Sequence, residues 1–323
     1  MIIATTILTI VILLAVLSSW VFARLWCKPK RLNPAQTPMD MQLPYEEIEF
    51  NSHGAILRGW FIPSYKKGPQ SPAVIVVHGW SHNAAKMLHV AKLLNHTGVA
   101  TLLFDARGHG FSDGDGPITI LKFAQDILSA ASFLKSRPDV DSDRIGIVGH
   151  SMGGSSTILA TSMGPTIRAA VTSAAFADPF QLTKLTMRRL HIPLWPFFYL
   201  VRFFIEGWLG RSMQSLAPVN YISQISTPLL LIHGADDQFV PPANLDQLNT
   251  AAHPKYVKRL LIEGRRHSDV TVDLQYESQM IAHIREFLCD GGPSQEQPVI
   301  QSESAEFVAR KIGASHEEFA RPN

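Results

Sequence analysis

Short apolar runs alternate with longer amphipathic stretches over most of the chain. The apolar runs are rich in valine, isoleucine and leucine, which is typical of strands buried on both faces of a parallel sheet. They cover residues 73–77, 99–104, 144–148, 167–172, 228–232 and 256–262. Stretches with helical spacing between them cover residues 84–96, 120–136, 152–163, 243–252 and 273–289. This alternation predicts βαβ units and an α/β fold whose mostly parallel central sheet is flanked by helices.

Two shorter β-like segments precede this alternation, at residues 45–50 and 55–62. The four residues between them are Asn-Ser-His-Gly, which are residue types of a hairpin turn. We therefore expect one globular domain over residues 45–290. The remaining residues, 291–323, open with proline-rich polar sequence and are predicted to form a mobile tail.

One segment, residues 178–220, interrupts the alternation between two predicted core strands. It carries a cluster of aromatic and basic residues, and an insertion at this point lies at the carboxyl edge of the sheet. We interpret it as a helical lid that shapes an apolar substrate pocket, with Trp195 and Phe198 as candidate pocket residues. The lid is also expected to touch a membrane through its aromatic residues and Arg188, Arg189 and Arg202. The alternative is ordinary packing of an inserted helical pair.

The first 26 residues form an apolar run whose first charge is Arg24. About 20 such residues are enough to span a bilayer, so residues 1–27 are predicted to be a transmembrane anchor. The basic residues Lys28, Lys30 and Arg31 follow the run, which predicts a cytoplasmic catalytic domain by the positive-inside rule. The alternative is an exported enzyme, although the run lacks the basic start of a signal peptide. Residues 28–44, with several prolines, are predicted to be a linker that keeps the domain off the membrane.

Composition narrows the choice of function. The chain has 323 residues and a net charge of only +2, without a block of lysine and arginine, so a nucleic-acid partner is not expected. Its two cysteines, Cys27 and Cys289, lie too far apart in sequence to indicate a disulfide framework or metal-ligand spacing. No metal or organic cofactor is implied.

The candidate chemistry is concentrated at residues 144–154, which read Arg-Ile-Gly-Ile-Val-Gly-His-Ser-Met-Gly-Gly. A buried strand is predicted to end at Gly149 and a helix to start at Met152, which places Ser151 on a sharp strand-to-helix turn. A serine on such a turn has an exposed hydroxyl, and the first free amides of the following helix point toward a developing oxyanion. The structural alternative is a turn of small residues that only permits close packing of the helix on the sheet.

Further motifs accompany this turn in a fixed order. They are His78-Gly-Trp-Ser, Asp105-Ala-Arg-Gly-His-Gly-Phe-Ser, Gly149-His-Ser-Met-Gly-Gly, His233-Gly-Ala-Asp-Asp-Gln-Phe-Val-Pro and Glu263-Gly-Arg-Arg-His. On these motifs the chain resembles the α/β-hydrolase superfamily of serine hydrolases, over roughly residues 45–289. The resemblance implies an α/β-hydrolase fold and a catalytic triad in the order serine, aspartate, histidine.

The triad can be assigned to individual residues. Ser151 would be the nucleophile, and His267, on a loop after a β-like strand, is the best candidate for the base that takes its proton. The superfamily pattern Gly-x-x-Asp-x-x-Val aligns Asp237 with the acid. Two alternatives stay open: the adjacent Asp236, and Asp178, which occupies the acid position of some relatives.

An oxyanion hole needs two donors aimed at the tetrahedral oxygen. The backbone N–H of Met152 is one candidate, and the resemblance points to the N–H of Trp80 as the other. The motif here is His-Gly-Trp-Ser and not the His-Gly-Gly-Gly of many esterases, which leaves the second donor less defined. The side chains of Trp80 and His150 are further candidates for the substrate pocket.

The sequence therefore predicts a serine hydrolase that cleaves a carboxylic ester, with a small-molecule or lipid-like acyl substrate, through an acyl-enzyme. A peptidase or amidase of the same superfamily is the nearest alternative, since a triad does not distinguish esters from amides. A membrane-tethered binding protein that kept the fold without activity is an alternative of a different class.

Overall fold

The computed structural model describes residues 1–66, 68–164 and 167–290 of the chain. The tail predicted for residues 291–323 lies outside the described residues. Eight strands form one sheet in the order β1-β2-β4-β3-β5-β6-β7-β8. They are β1 (Glu46–Ser52), β2 (Ala55–Ile62), β3 (Ser71–Val77), β4 (Ala100–Phe104), β5 (Val140–His150), β6 (Ala169–Ser173), β7 (Leu229–Gly234) and β8 (Val257–Ile262).

The sheet is parallel from β3 to β8 and antiparallel only where β2 pairs with β1 and β4. The β1–β2 hairpin turns at His53 and Gly54, whose φ angles of 49° and 87° lie in the left-handed region. A mostly parallel sheet with strand-to-helix crossovers confirms the predicted fold class. Strand β5 is longer than the predicted run, because its first residues join the sheet through an irregular register beside Ser71.

Within the described ranges, eight α-helices accompany the sheet. They are α1 (Ile2–Trp26), α2 (Leu88–Asn95), α3 (Ile120–Ser136), α4 (Met152–Met163), α5 (Pro179–Arg189), α6 (Tyr199–Leu209), α7 (Ala243–Ala251) and α8 (Leu274–Ile284). Apolar side chains of α3, α4 and α7 belong to one core cluster, and those of α2 and α8 belong to a second. Since neighbouring strand residues alternate between these two clusters, each cluster covers one face of the sheet.

The insertion forms α5, α6 and the turns around them, and it has a hydrophobic cluster of its own. Phe180 and Met187 of α5 pack there with Val201 and Ile205 of α6. The same cluster includes Ala23 and Cys27, at the end of α1. The long N-terminal helix is therefore docked on the insertion, and this contact was not expected from the sequence.

The chain between α1 and β1 follows the surface of the domain. The amide of Lys30 donates to the hydroxyl of Ser81, and the Asn83 side chain donates to the Leu32 carbonyl oxygen at 2.9 Å. Leu43 is buried in the core cluster that covers the α2 and α8 face. These contacts attach residues 28–44, the predicted linker, to the domain. The end of α1 is thereby kept close to the body of the protein. That the linker holds the domain off a membrane stays a prediction.

Candidate active site

Ser151 lies on the turn between β5 and α4. Its φ and ψ angles of 55° and −116° are unusual for a residue with a side chain, and its N–H donates to the Ser173 carbonyl oxygen of β6 at 2.8 Å. A Cβ atom on Gly153 would lie only 2.6 Å from the carbonyl oxygens of Val77 and His78. Glycine at that position lets the first turn of α4 press against the end of β3, and this holds the serine above the edge of the sheet.

Three side chains that the sequence singled out meet at this turn. The Oγ of Ser151 lies 2.9 Å from the Nε2 of His267, and the Nδ1 of His267 lies 2.7 Å from Oδ2 of Asp237. Asp237 follows β7 and His267 follows β8, so the three residues come from the carboxyl ends of three parallel strands. In this arrangement an imidazole can accept the hydroxyl proton while the carboxylate fixes its tautomer.

Asp237 is buried and accepts several hydrogen bonds. Its Oδ1 accepts from the amides of Phe239 and Val240, at 2.9 and 2.8 Å. Burial favours the neutral carboxyl group, but His233 and His267 donate toward the charged form and hold the pKa of Asp237 well below its usual range. The carboxylate therefore stays ionised beside the imidazole at neutral pH.

The alternative acids have other positions. Asp236 is exposed, and its amide donates to the Arg265 carbonyl oxygen. Asp178 is the N-cap of α5, where its Oδ1 accepts from the Phe180 amide at 2.8 Å and the Gln181 amide at 3.4 Å. Of the three carboxylates, Asp237 is the one that contacts His267.

The loop after β3 passes directly beside the serine. A Cβ atom on Gly79 would lie 3.2 Å from the Cβ of Ser151, so the backbone that leads into Trp80 is next to the nucleophile candidate. The following residue, Ser81, has a φ of 56°, and its amide donates to Nε2 of His109 at 3.1 Å. Met152 begins α4, and the first amides of a helix have no partner within it. Both candidate oxyanion donors thus belong to backbone next to Ser151.

Buried histidines hold this loop in place as hydrogen-bonding groups. Nδ1 of His78 donates to the Gly79 carbonyl oxygen at 2.7 Å, and its Nε2 accepts from the Ala106 amide at 3.0 Å. Burial lowers the pKa of His78 to about 4 and that of His109 to about 3. Both rings are therefore neutral at pH 7, with one nitrogen that donates and one that accepts.

The predicted pocket residues are distributed over different parts of the molecule. His150 is buried beside His267, with its ring centroid 5.1 Å from that of His267. Trp80 is half-buried, with its ring 5.5 Å from His109. Phe198 belongs to the core of the insertion, where its ring packs 5.1 Å from Phe180, and Trp195 is 80% exposed. The roles of all four in substrate binding stay predictions.

Sequence reasoning missed three neighbours of the triad candidates. Nε2 of His233 lies 3.3 Å from Oδ2 of Asp237, and the Phe239 ring packs 5.0 Å from the His267 ring. The guanidinium of Arg189, at the end of α5, donates to the carbonyl oxygens of Gln238 and Phe239. The His-Gly-x-x-Asp spacing could have indicated His233, whereas the contact of Arg189 depends on tertiary structure alone.

Among residues 1–66, 68–164 and 167–290, no group of three or more His, Cys, Asp or Glu side chains is arranged to hold a metal ion. The helix α1 is the one described helix that is long and apolar enough to cross a membrane. A signal sequence near an N-terminus has the same length and composition, so these two properties are shared by anchors and signals.

Known proteins resemble this chain over most of its length. Residues 68–217 match the family described as "Serine aminopeptidase, S33". The uncharacterized protein YfhR of Escherichia coli (strain K12) is 31% identical over 250 residues, which are 74% of this chain and 80% of that protein. The uncharacterized protein Rv2307c of Mycobacterium tuberculosis is 28% identical over 295 residues, 88% of this chain and 95% of that protein.

A solved structure extends the likeness to the fold. The esterase Pf2001 of Pyrococcus furiosus is similar with a TM-score of 0.67 and 23% sequence identity, over 81% of this chain and 98% of that one. The sheet and its flanking helices are therefore an architecture that other proteins share.

Proposed function

Since the chain belongs to the α/β-hydrolase superfamily, we propose that it is a serine hydrolase that cleaves carboxylic esters through an acyl-enzyme. The observation that carries the proposal is the unbroken series of contacts from Ser151 through His267 to the buried Asp237. An isolated serine hydroxyl is a poor nucleophile, and this series supplies the base and the carboxylate that activate it.

The proposed first half-reaction forms the acyl-enzyme. His267 takes the proton of Ser151 as Oγ attacks the ester carbonyl carbon, and the carbonyl oxygen becomes an oxyanion. The backbone N–H groups of Met152 and Trp80 would stabilise that charge. The imidazolium, balanced by Asp237, then gives its proton to the leaving alkoxide as the ester C–O bond breaks. The products of this half-reaction are an alcohol and an acyl group on Oγ.

Water completes the second half-reaction by the same route. His267 takes a proton from a water molecule as the water oxygen attacks the acyl carbon. The resulting oxyanion occupies the same oxyanion hole. When the C–Oγ bond breaks, the imidazolium returns its proton to Ser151 and a carboxylic acid leaves. The triad thus ends in its starting protonation state, so one turnover consumes one ester and one water.

A peptidase or amidase is the second candidate, and the match of residues 68–217 to the family described as serine aminopeptidase favours it. The same two half-reactions would apply, with the imidazolium donating to a leaving amine. The name of the Pyrococcus furiosus esterase supports the ester alternative. We give the ester first because the notable features of the insertion are exposed aromatic side chains, which suit apolar substrates.

We further propose that α1 remains on the protein as a membrane anchor, with the catalytic domain in the cytoplasm. Arg24 lies in its last turn and Lys28 follows, as the positive-inside rule requires for a cytoplasmic carboxyl end. Intact-protein mass spectrometry of the membrane fraction would show the full chain if the proposal is right. A chain shortened by about 20 residues would show a cleaved signal sequence instead.

Turnover of matched substrates tests the reaction class. The purified full chain in detergent should hydrolyse p-nitrophenyl butyrate faster than amino-acid p-nitroanilides, and Ser151→Ala should abolish the faster activity. Faster cleavage of an anilide would favour the peptidase. Activity on neither class, with Ser151 unreactive, would favour a binding protein that kept the fold.

A further inference from the structure

The docking of α1 on the insertion is specific to one face of the helix. Ser19 and Ala23 are its buried residues, Cys27 at its end is also buried, and these three positions repeat every four residues. Ala23 and Cys27 belong to the hydrophobic cluster of α5 and α6, and the Phe22 ring packs edge-on to Phe197 at 5.4 Å. One face of the last two or three turns of α1 is therefore fixed to the insertion, which we call the lid (residues 178–220).

The rest of α1 is exposed almost without interruption. From Ile2 to Ser18 every residue is exposed except the half-buried Ala15. At 1.5 Å per residue this stretch is about 25 Å long, whereas a bilayer core is about 30 Å thick and needs about 20 residues. A bilayer that covers α1 must then reach Ser19 or beyond. The lid contacts α1 at that same level, so it lies at the membrane boundary.

The lid presents aromatic side chains of the kind found at such boundaries. On α6, Tyr199 and Phe203 are 51% and 68% exposed and lie four residues apart on one face. The opposite face of the helix carries the buried Val201 and Ile205. Trp195 precedes α6 and is 80% exposed. Trp and Tyr are enriched where a bilayer meets water, because their rings combine an apolar body with a polar group.

Basic side chains near the end of α1 and on the lid also favour a position at the membrane surface. The Arg24 guanidinium, next in sequence to the docked Ala23, lies over the Trp20 ring at 5.1 Å. Three further basic residues are exposed near this contact in sequence: Lys28 and Lys30 follow α1, and Arg188 lies in the last turn of α5. The lid itself contains five basic and two acidic residues. Basic side chains at a cytoplasmic membrane surface are attracted to anionic lipid headgroups.

We propose that the exposed aromatic surface of the lid, formed by Trp195, Tyr199 and Phe203, is seated in the interfacial layer of the bilayer that α1 spans. The proposal rests on the membrane anchor proposed above. In this arrangement α1 is more than a tether, since the Ser19–Ala23–Cys27 face sets the depth of the lid. The mouth of the site then faces the lipid, and the substrates are esters that partition into the bilayer.

Hydrogen bonds also join the lid to the loop that carries one of the triad candidates. Arg189, at the end of α5, donates to backbone oxygens on both sides of Phe239, whose ring packs on His267. A lid held in the interface is thereby joined to the loop that carries Asp237. Apolar esters that enter beside the lid would reach Ser151 without crossing water.

Fluorescence of Trp195 tests the placement without reference to catalysis. The full chain is reconstituted in vesicles of phosphatidylcholine with bromine atoms on the acyl chains near the headgroup, and wild type is compared with Trp195→Phe. The difference between the two spectra gives the emission of Trp195. We expect this emission to be blue-shifted, strongly quenched by bromine and weakly quenched by aqueous acrylamide. A Trp195 signal quenched by acrylamide and not by bromine would overturn the proposal.

Two matched variants of α1 test whether its docked face positions the lid. Ala23→Phe adds a ring on the docked face and should displace the lid, so the bromine quenching of Trp195 falls. Val21→Phe adds the same ring on the exposed face of α1 and should leave the quenching unchanged. Equal quenching in both variants would show that α1 does not position the lid.

Turnover separates failure of the inference from failure of the proposed esterase activity. Tyr199→Ser with Phe203→Ser should lower the rate several-fold on diacylglycerol presented in phosphatidylcholine vesicles and leave the rate on p-nitrophenyl acetate unchanged. Tyr65→Ser is the control, an exposed aromatic residue in the loop after β2 and outside the lid. An equal effect of the lid and control variants would contradict the substrate class. Inactivity on every ester would contradict the proposed function, but the quenching of Trp195 would still test the position of the lid in the bilayer.

Discussion

The corner formed by the triad candidates, which we call the triad corner, and the lid region are joined through Arg189, but different kinds of contact build them. Ser151, Asp237 and His267 are held by hydrogen bonds at the carboxyl ends of three parallel strands, β5, β7 and β8. The lid and α1 are held by apolar packing in a cluster separate from the two cores that cover the sheet. Geometry within about half an ångström matters for bond making, and directional hydrogen bonds supply it. Apolar packing is less directional, which suits the access role that we propose for the lid.

The comparison also separates two kinds of substitution. Changes at the triad corner should remove the chemistry and leave the fold, because the turns are defined by backbone. Changes in the lid region should alter which substrates reach the site.

Ser151→Ala should lower ester hydrolysis by about three to six orders of magnitude, because it deletes the attacking oxygen. The thermal midpoint should change little, since only a hydroxyl on the elbow is lost. Hydrolysis of p-nitrophenyl butyrate and a melting curve measure the two effects. Ser162→Ala, farther along α4, is the control. Substantial turnover by pure Ser151→Ala protein would rule out this nucleophile.

Asp237→Asn should lower kcat by about two to four orders of magnitude, because an amide no longer favours the imidazole tautomer that accepts the Ser151 proton. Asp236→Asn is the matched control: it is the adjacent residue with the same chemical change, but it is exposed. We expect it to stay within about threefold of wild type. Equal losses in the two variants, or a larger loss in Asp178→Asn, would contradict the assignment of the acid.

His150→Gln should make the protein less sensitive to acid. Burial lowers the folded-state pKa of His150 to about 3, while an unfolded histidine has a pKa of about 6.5. The unfolded state therefore binds more protons as the pH falls below 6.5, and folding stability is lost between there and pH 3. Between pH 7.5 and 5 the wild type should lose about 2 kcal/mol more than the variant.

Denaturant unfolding in detergent at the two pH values measures that difference, with the exposed His96→Gln as control. A wild type and a His150→Gln variant with equal pH dependence would show that His150 is protonated as readily in the folded protein as in the unfolded chain.

Arg189→Ala should have the smallest effect, a decrease in kcat of about two- to fivefold, because the residue is exposed and acts on the acid loop only through backbone oxygens. Arg188→Ala is the neighbouring exposed control. Steady-state kinetics on p-nitrophenyl acetate should show the loss for Arg189→Ala alone. A loss as large as that of Asp237→Asn would mean that the lid is part of the catalytic geometry, and the two regions would not be separable.

The sequence was most informative where a structure depends on local pattern. The alternation of apolar runs and helical stretches predicted the α/β fold, and α3 and α4 have the predicted bounds. Ser151 stood out because a serine between two glycines, directly after a β-like run, is typical of a strand-to-helix turn that exposes a hydroxyl. His267 and Asp237 came from motif order, and Asp236 could not be set aside until its exposure was known, because two adjacent carboxylates look alike in sequence.

The lid region was predicted least well, for a physical reason. A helix such as α1, which is apolar on all sides, has no amphipathic pattern to indicate which face packs on protein. The small residues Ser19, Ala23 and Cys27 form a stripe, but nothing in their spacing names the lid as the partner. The placement of Phe198 inside the lid and of Trp195 at its surface likewise depends on how two helices pack.

Active-site labelling tests whether His267 activates Ser151 as a nucleophile. A fluorophosphonate forms a covalent bond with a serine only when a neighbouring base activates the hydroxyl, and peptide mass spectrometry then identifies the modified residue. We expect stoichiometric labelling at Ser151 in the full chain, little labelling after His267→Ala, and unchanged labelling after Asp236→Asn. Absence of label on folded wild-type protein, or label on another serine, would contradict it.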